Sequence, residues 1–278
     1  MNHQNDEGIA SFAEAFGPLA HHLFPDGCPQ DDLREEWPQR LDRTPVSSGQ
    51  TKASISGSLP RFAHQHGLTS KQLSCVALAA CSTLALKETK SVGEGSPLVD
   101  GTSHYFRSIV VQCLLPNHGA AEAAVVEPFV VEMLLTVPCD MQGRAVALRF
   151  LTMAVRSGLL VGPARRVLSS FYYGVVLWWM QDVDLCADAM RLLHAVTRRK
   201  HVRLDRAQRL SEWYQESLQK TKALQKRVGP LWLMLQLYAR YDPQGCGRFF
   251  PTNRKVGTSI SRLFQSECVR GLPSHCST

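Results

Sequence analysis

The sequence predicts an all-α protein made of antiparallel helix pairs. Predicted helices begin at almost constant intervals along the middle of the chain, in steps of 21, 20, 21 and 20 residues, at Ala120, Met141, Val161, Asp182 and Val202. Two steps give a helix pair of about 41 residues, which is the repeat length of HEAT and armadillo proteins. Helix-breaking residues lie where these pairs need them, at Pro138, Gly143, Gly158, Gly162, Pro163, Gly229 and Pro230. We therefore expect a HEAT-like α-solenoid.

The amino-terminal segment, residues 1–60, is predicted to be largely disordered. It is rich in Pro, Asp, Glu, Ser and Gly and shows little periodicity. The exception is Ile9–Leu23, where Phe12, Phe16, Leu19 and Leu23 have helical spacing. Because a single short helix is marginally stable alone, this patch would have to dock on a partner or on the chain itself.

The folded part is predicted to begin near Leu68. Thr69 and Gln72 have the spacing of a capping box and precede an apolar helix. Residues 88–102 are rich in Gly and Ser and indicate a loop, and a further helix is expected near Ser103. The repeat domain is predicted over 61–264, and residues 265–278 are expected to form an irregular tail.

The helix predicted over Val161–Met180 has an unusually broad apolar stripe that includes several aromatic residues. A stripe this wide predicts an inner-layer helix packed on both sides. The same aromatic residues could form a platform on which nucleic-acid bases stack. We favour core packing, since the aromatic residues keep the helical period of the Val and Leu around them.

The densest basic cluster of the chain follows another predicted buried helix. Leu185, Ala189, Leu192 and Val196 form its apolar stripe, and residues 197–202 are the expected turn. The turn and the amphipathic helix after it carry six basic residues: Arg198, Arg199, Lys200, Arg203, Arg206 and Arg209. These are the candidate DNA-binding or acidic-partner-binding residues, and we expect them on one edge of the stack.

The charge of the chain is concentrated in this region. The net charge is +7, from 31 Lys and Arg against 24 Asp and Glu. Residues 198–227 alone hold 10 basic and 3 acidic residues, so the remainder is balanced. A local excess of positive charge favours an anionic partner, either nucleic acid or an acidic protein surface. A solvated helix face is an equally strong alternative.

The sequence predicts a soluble intracellular protein. Its nine cysteines are odd in number and form no C-x-x-C pair, which is typical of reduced thiols. The amino terminus has no signal-peptide pattern, and no apolar stretch is long enough to cross a membrane.

Enzymatic chemistry is not expected from this sequence. It contains no G-x-S-x-G, no H-E-x-x-H and no Walker motif. The close histidine pairs, His21 with His22 and His64 with His66, have no Cys, Asp or Glu at metal-ligand spacing. His194 is expected in the core or at its rim, and Asp182, Asp184 and Asp188 at a helix start. We predict no cofactor, no metal and no small-molecule substrate.

Several segments together resemble centromere protein I. They are HGLTSKQLSCVALAACSTLAL (66–86), CLLP (113–116), AVALRFLTMAV (145–155), SSFYYGVVLWWMQDVDLCADAMRLLHAVTRRKHVRLDRAQRL (169–210) and PLWLMLQLYARYDP (230–243). Arg149-Phe150-Leu151 takes the place of an Arg-Trp-Leu centre, and Tyr172-Tyr173-Gly174 that of a Tyr-Gly-Phe-Phe helix. Leu193–Lys200 takes the place of Leu-Leu-Thr-Arg-Lys, and Leu235–Arg240 that of Leu-Leu-Ser-Leu-Tyr-Lys. The segments occur in the same order over residues 62–264.

Two stretches depart from the family's pattern. Glu132–Asp140 lacks its Trp-Leu-Cys, and Glu212–Lys226 is more charged and longer. Members of the family are also longer, so the chain resembles their amino-terminal HEAT portion.

The resemblance implies a non-enzymatic scaffold subunit of the inner kinetochore, in the constitutive centromere-associated network. Such a subunit works in the nucleus at the centromere and supports chromosome segregation in cell division through protein–protein contacts. Centromere protein M is the partner expected for this portion, and centromere proteins H and K are partners of the full-length family. Centromeric DNA would lie near the basic residues. The alternative function is a stand-alone helical-repeat nucleic-acid-binding protein that uses the basic 198–227 segment.

Overall fold

A computed structural model describes residues 11–24, 26–35, 37, 57–85, 103–114, 126–160, 162–219 and 221–250. Within these ranges the regular structure is helical and contains no strand, so the prediction of an all-α fold is confirmed. The helices are α1 Phe12–Leu23, α2 Leu59–His66, α3 Ser70–Ala85, α4 Ser103–Gln112, α5 Pro128–Thr136, α6 Met141–Arg156, α7 Gly162–Ser170, α8 Cys186–Val196, α9 Leu204–Gln219, α10 Lys222–Gln225 and α11 Val228–Tyr241. Their arrangement as a solenoid stays a prediction.

The chain divides into two compact units, the first ending at Val176 and the second beginning at Leu177. The repeat domain predicted over 61–264 stays a prediction. The predicted tail, 265–278, lies outside the described residues. None of the described helices combines the length and the apolar character needed to cross a lipid bilayer.

Helix α1 lies in the patch of helical spacing, Ile9–Leu23, that was the exception to the disorder predicted for residues 1–60. Its first turn is capped by Ser11, whose Oγ accepts a hydrogen bond from the Glu14 N–H at 3.3 Å. Phe12 and Phe16 are buried and contact the rings of Phe62 and Trp37, with centroids 5.8 and 5.5 Å apart. The helical spacing predicted within Ile9–Leu23 is therefore confirmed for residues 12–23, where tertiary burial stabilises a helix that would be marginal alone. Docking of this patch on the chain itself is what the structure shows.

Helix α3 is the centre of the first unit and packs against α1, α4, α5 and α6. The predicted capping box at its start is confirmed. The Thr69 N–H donates to Gln72 Oε1 at 3.1 Å, and the Gln72 N–H donates to Thr69 Oγ1 at 3.3 Å. Most of the buried side chains of α3 are small, which allows close helix–helix approach.

Charged side chains also stabilise the first unit. Arg107 on α4 is only 1% exposed and forms a bidentate ion pair with Asp140, at 2.8 and 3.1 Å. Asp140 is also the N-cap of α6, because its Oδ1 accepts the Gly143 N–H at 2.8 Å. Arg144 then donates to carbonyl oxygens at the carboxyl end of α5. One aspartate thus fixes both the start of α6 and its contact with α4.

The constant helix interval is only partly reproduced. Helix α6 begins at Met141 as predicted, whereas α5 begins at Pro128, α8 at Cys186 and α9 at Leu204. The helix start predicted at Ala120 lies outside the described residues. Helix α8 begins later than predicted because Asp182 caps a preceding turn: its Oδ1 accepts the N–H groups of Asp184 and Leu185 at 2.8 and 3.1 Å.

The single helix predicted over Val161–Met180 is interrupted. Helix α7 ends at Ser170, a π-helical turn follows over Tyr172–Leu177, and a 3₁₀ turn covers Trp178–Gln181. The π turn changes the helical register, so aromatic residues that share one stripe in an α-helix diverge. Trp178, which belongs to the predicted stripe, is 51% exposed, and the prediction of packing on both sides is wrong for this residue.

The second unit is organised around α11. This helix packs against α8 and α9 and buries four large side chains, those of Leu231, Met234, Leu235 and Tyr238. A 3₁₀ turn at Cys246–Phe249 contacts both α9 and α11. The basic cluster lies between α8 and α9 in this unit.

Candidate interaction site at the basic junction

The basic junction, residues 197–209, connects α8 to α9 through a short turn. Helix α8 ends at Val196 with Thr197 as its C-cap, and a 3₁₀ turn covers Arg199–His201. Helix α9 begins at Leu204. The predicted turn over residues 197–202 is therefore confirmed.

Two tyrosines of α11 fasten the ends of this turn. Tyr241 Oη donates to the Thr197 carbonyl at 3.3 Å, and Tyr238 Oη lies 3.5 Å from the His201 carbonyl. Thr197 is buried, and its Oγ1 donates to the Leu193 carbonyl at 2.6 Å. The backbone that carries the basic side chains is thus fixed to the core of the second unit. This role of the tyrosines could not be predicted from the sequence, because their spacing shows that they share a helix face but not which turn they reach.

His201 is the buried centre of the junction and is only 6% exposed. Its Nδ1 accepts the backbone N–H of Arg198 at 3.1 Å. Burial lowers the pKa of His201 below its usual 6.5, and the positive charges of Lys200 and Arg206 lower it further. The imidazole is accordingly neutral at neutral pH, which is the form that can accept this hydrogen bond.

The six predicted basic residues have different environments. Arg206 is half-buried and donates from Nη1 to the His201 carbonyl at 2.9 Å, which makes it a brace for the turn. Arg203 is exposed and pairs with Asp205 at 3.1 Å. The other four are exposed and form no ion pair among the residues that the structure describes: Arg198, Arg199, Lys200 and Arg209. Their charge is available to an anionic partner.

Arg199 also lines a hollow of about 610 Å³ beside the turn, together with Val202 and residues Tyr241 to Gln244. Asp242 contributes a carboxylate to this hollow, and its Oδ1 accepts the Gly245 N–H at 2.9 Å. Because the hollow holds one carboxylate and one guanidinium, it offers no net attraction for an anion. It is better suited to a polar side chain of a partner protein.

A second exposed feature of this unit is Trp178. Its ring packs edge-on against Trp213 of α9, with centroids 5.8 Å apart at 76°. The guanidinium carbon of Arg209 lies 5.7 Å from the centroid of the Trp178 ring. The sequence placed Trp178 in the core, since its apparent helical period with Val175 and Phe171 gave no sign of the π turn before it.

The described residues show no constellation typical of catalysis. His194 is exposed, and Asp188 is buried in an ion pair with Arg191 at 2.8 Å. Burial raises the pKa of the Cys113 and Cys186 thiols to about 12, so neither supplies a thiolate nucleophile at neutral pH. In the described part of the chain, no three His, Cys, Asp or Glu side chains are grouped to hold a metal ion.

Comparison with known proteins gives no family assignment: no family model and no curated protein matches the chain.

Proposed function

We propose that this protein is a non-enzymatic scaffold subunit of the inner kinetochore, similar to the amino-terminal portion of centromere protein I. It would act in the nucleus, at the centromere, through protein–protein contacts that support centromere assembly and chromosome segregation. The observation that carries the proposal is the junction between α8 and α9. The most extended part of the resemblance, residues 169–210, includes this junction, and its turn is braced from within while its cations face outwards.

The all-α architecture supports a scaffold role. Stacked helices display their connecting turns along an edge, where a partner protein can contact several of them. The polar hollow beside Arg199 is a feature of this kind. Centromere protein M is the partner proposed for this chain, with centromere proteins H and K as further partners of the full-length family.

The exposed cations suit a position beside centromeric DNA. Each phosphate that a Lys or Arg neutralises releases counterions and adds affinity that does not depend on sequence. Arg198, Arg199 and Lys200 are consecutive and exposed, so they could contact neighbouring phosphates. In an assembled complex such contacts would orient the scaffold and would not by themselves provide specificity.

Co-expression with centromere protein M followed by size-exclusion chromatography tests the proposal. The expected result is a stable one-to-one complex. The triple charge reversal Arg199→Glu, Lys200→Glu and Arg203→Glu should leave that complex intact, as should the matched control Arg166→Glu on α7, where Arg166 is also exposed. Failure of the two chains to co-elute would overturn the scaffold proposal.

The second candidate function is a stand-alone helical-repeat nucleic-acid-binding protein. The four exposed cations without an ion pair among the described residues favour it. Such a protein would bind duplex DNA without any partner, with an affinity that falls steeply with salt, by a slope of about −0.9 for each phosphate neutralised. The same triple charge reversal should abolish that binding, whereas Arg166→Glu should preserve most of it. An isolated chain with neither partner nor DNA binding would exclude both functions.

A further inference from the structure

The geometry of Trp178 and Arg209 points to a second binding site, and we propose that it binds single-stranded nucleic acid. An unpaired base stacks on the exposed indole, and the adjacent phosphate is held by Arg209. This site goes beyond the scaffold role, which requires no contact with an unpaired base.

Trp178 is presented rigidly. It is 51% exposed, yet its ring is held edge-on by the buried ring of Trp213, at 5.8 Å. A supported and half-exposed indole loses little conformational entropy when a second flat ring stacks on it. Stacking on an aromatic side chain tolerates any base, because every base has a π-face.

Arg209 supplies the charge beside this ring. It is exposed, and its guanidinium carbon lies over the ring of Trp178, 5.7 Å from the ring centroid. No carboxylate of the described residues neutralises it. A guanidinium next to a half-exposed aromatic ring combines the two contacts that single-stranded nucleic acid requires, one to the phosphate and one to the base.

The surroundings favour nucleic acid over a protein helix. Two leucines of α9, Leu204 and Leu218, are exposed. At 3.6 residues per turn, however, they lie on about the opposite side of α9 from Trp213, which contacts Trp178. No exposed aliphatic side chain of α9 therefore extends the indole into the apolar groove that an amphipathic helix needs.

Further positive charges of the basic junction lie near this site. Arg203 directly precedes α9 and Arg209 lies on it, six residues later, which corresponds to about 9 Å along the helix axis. A strand with its base on Trp178 and a phosphate on Arg209 therefore comes within reach of the junction cations.

Fluorescence anisotropy with a labelled oligothymidine and a duplex of equal length, on the full chain, tests the proposal. Trp178→Ala should weaken oligothymidine binding about tenfold and change duplex binding little, since a duplex keeps its bases stacked internally. Trp178→Phe should retain most of the affinity because a phenyl ring also stacks. Arg209→Ala should weaken binding to both ligands, whereas the matched control Arg166→Ala should weaken neither appreciably.

A second measurement keeps the proposal testable where Trp178→Ala folds poorly. Oligothymidine should quench the intrinsic fluorescence of the wild-type protein, and Trp178→Phe should remove that quenching while binding persists. The proposed site would be contradicted if quenching were unchanged in Trp178→Phe. It would also be contradicted if Trp178→Ala and Arg166→Ala lost equal affinity for oligothymidine. Loss of the centromere protein M complex in Trp178→Ala, with oligothymidine binding unchanged, would also overturn it and assign the indole to a protein contact. Failure of the scaffold proposal alone would leave oligothymidine binding intact.

Discussion

The Nδ1 atom of His201 accepts the backbone N–H of Arg198, 3.1 Å away, inside a turn that carries two further positive charges, Arg199 and Lys200. Burial and the neighbouring cations Lys200 and Arg206 disfavour the charged imidazole and hold the pKa of His201 below 6.5. Protonation would add a buried charge and remove the acceptor for Arg198. The order of the basic junction therefore depends on a neutral histidine.

Stability should accordingly fall in mild acid. Because the folded-state pKa of His201 is depressed, its contribution is present above pH ~6.5 and is lost as the pH falls below the pKa of the unfolded chain. The free energy of unfolding in urea should decrease between neutral pH and pH ~5 more steeply for the wild type than for His201→Gln. Burial also lowers the pKa of His22, so this residue adds to the pH dependence of stability in both the wild type and His201→Gln. The variant His22→Gln measures that contribution. Equal pH slopes for wild type and His201→Gln would contradict this.

The sequence was most informative where local chemistry decides the structure. The capping box of Thr69 and Gln72 and the helix start at Met141 depend on residues within one turn of each other, and both are confirmed. The spacing of Phe12, Phe16 and Leu19 indicated helix α1, but it could not show that Phe62 and Trp37, distant in sequence, supply the contacts that stabilise this helix.

The candidate site was predictable as a basic turn but not in its internal design. The apolar stripe of α8 and the Arg and Lys that follow it located the turn. Nothing in their spacing separates the brace Arg206 from the exposed Arg199. Trp178 was misplaced for another reason: one π turn rotates the residues after it, and the hydrophobic period alone does not report that rotation.

Loss of the ion pair between Arg107 and Asp140 should lower the free energy of unfolding more than loss of an exposed ion pair. Asp140→Asn keeps a side chain that can cap α6 but leaves the buried guanidinium without its counter-charge. Removal of one partner of a buried pair costs about 3–5 kcal/mol. Asp205→Asn removes an exposed pair with Arg203 and should cost below about 1 kcal/mol. Urea titrations of the two variants measure the difference, and comparable costs would show that Arg107 is effectively solvated.

The substitution Gly143→Ala should destabilise the protein, although a glycine-to-alanine change within a helix usually stabilises it. That change normally stabilises by about 1 kcal/mol. Here a Cβ atom at Gly143 would lie 2.7 Å from the carbonyl oxygen of Leu84 and 3.1 Å from Cys139 Cβ, so α3 and α6 would have to separate. We expect Gly143→Ala to destabilise by about 1–3 kcal/mol. Gly174→Ala is the control, because its Cβ would meet nothing within 4 Å. A Tm for Gly143→Ala at or above that of the wild type would refute the close approach.

Arg144 should stabilise the carboxyl end of α5 through hydrogen bonds to its carbonyl oxygens. Its Nη1 donates to the carbonyl oxygens of Leu134 and Leu135 at 3.4 and 3.0 Å, and its Nη2 donates to that of Val137 at 2.6 Å. These carbonyls have no partner within the helix, so a guanidinium from the next helix satisfies them. Arg144→Ala should cost about 1.5–3 kcal/mol. Arg144→Lys should recover only part of this loss, because one ammonium cannot reproduce the planar fork of donors.

Hydrogen exchange measures where the loss occurs. In Arg144→Ala the amides of the last turn of α5 should exchange faster than in the wild type, because the turn opens locally once its carbonyls lose these donors. Arg156→Ala is the matched control, since Arg156 is exposed in the last turn of the same helix as Arg144. It should leave α5 protected and change the free energy of unfolding by only a few tenths of a kcal/mol. If Arg144→Lys matched the wild type in both measurements, a simple positive charge would suffice and the three-carbonyl geometry would have no energetic role.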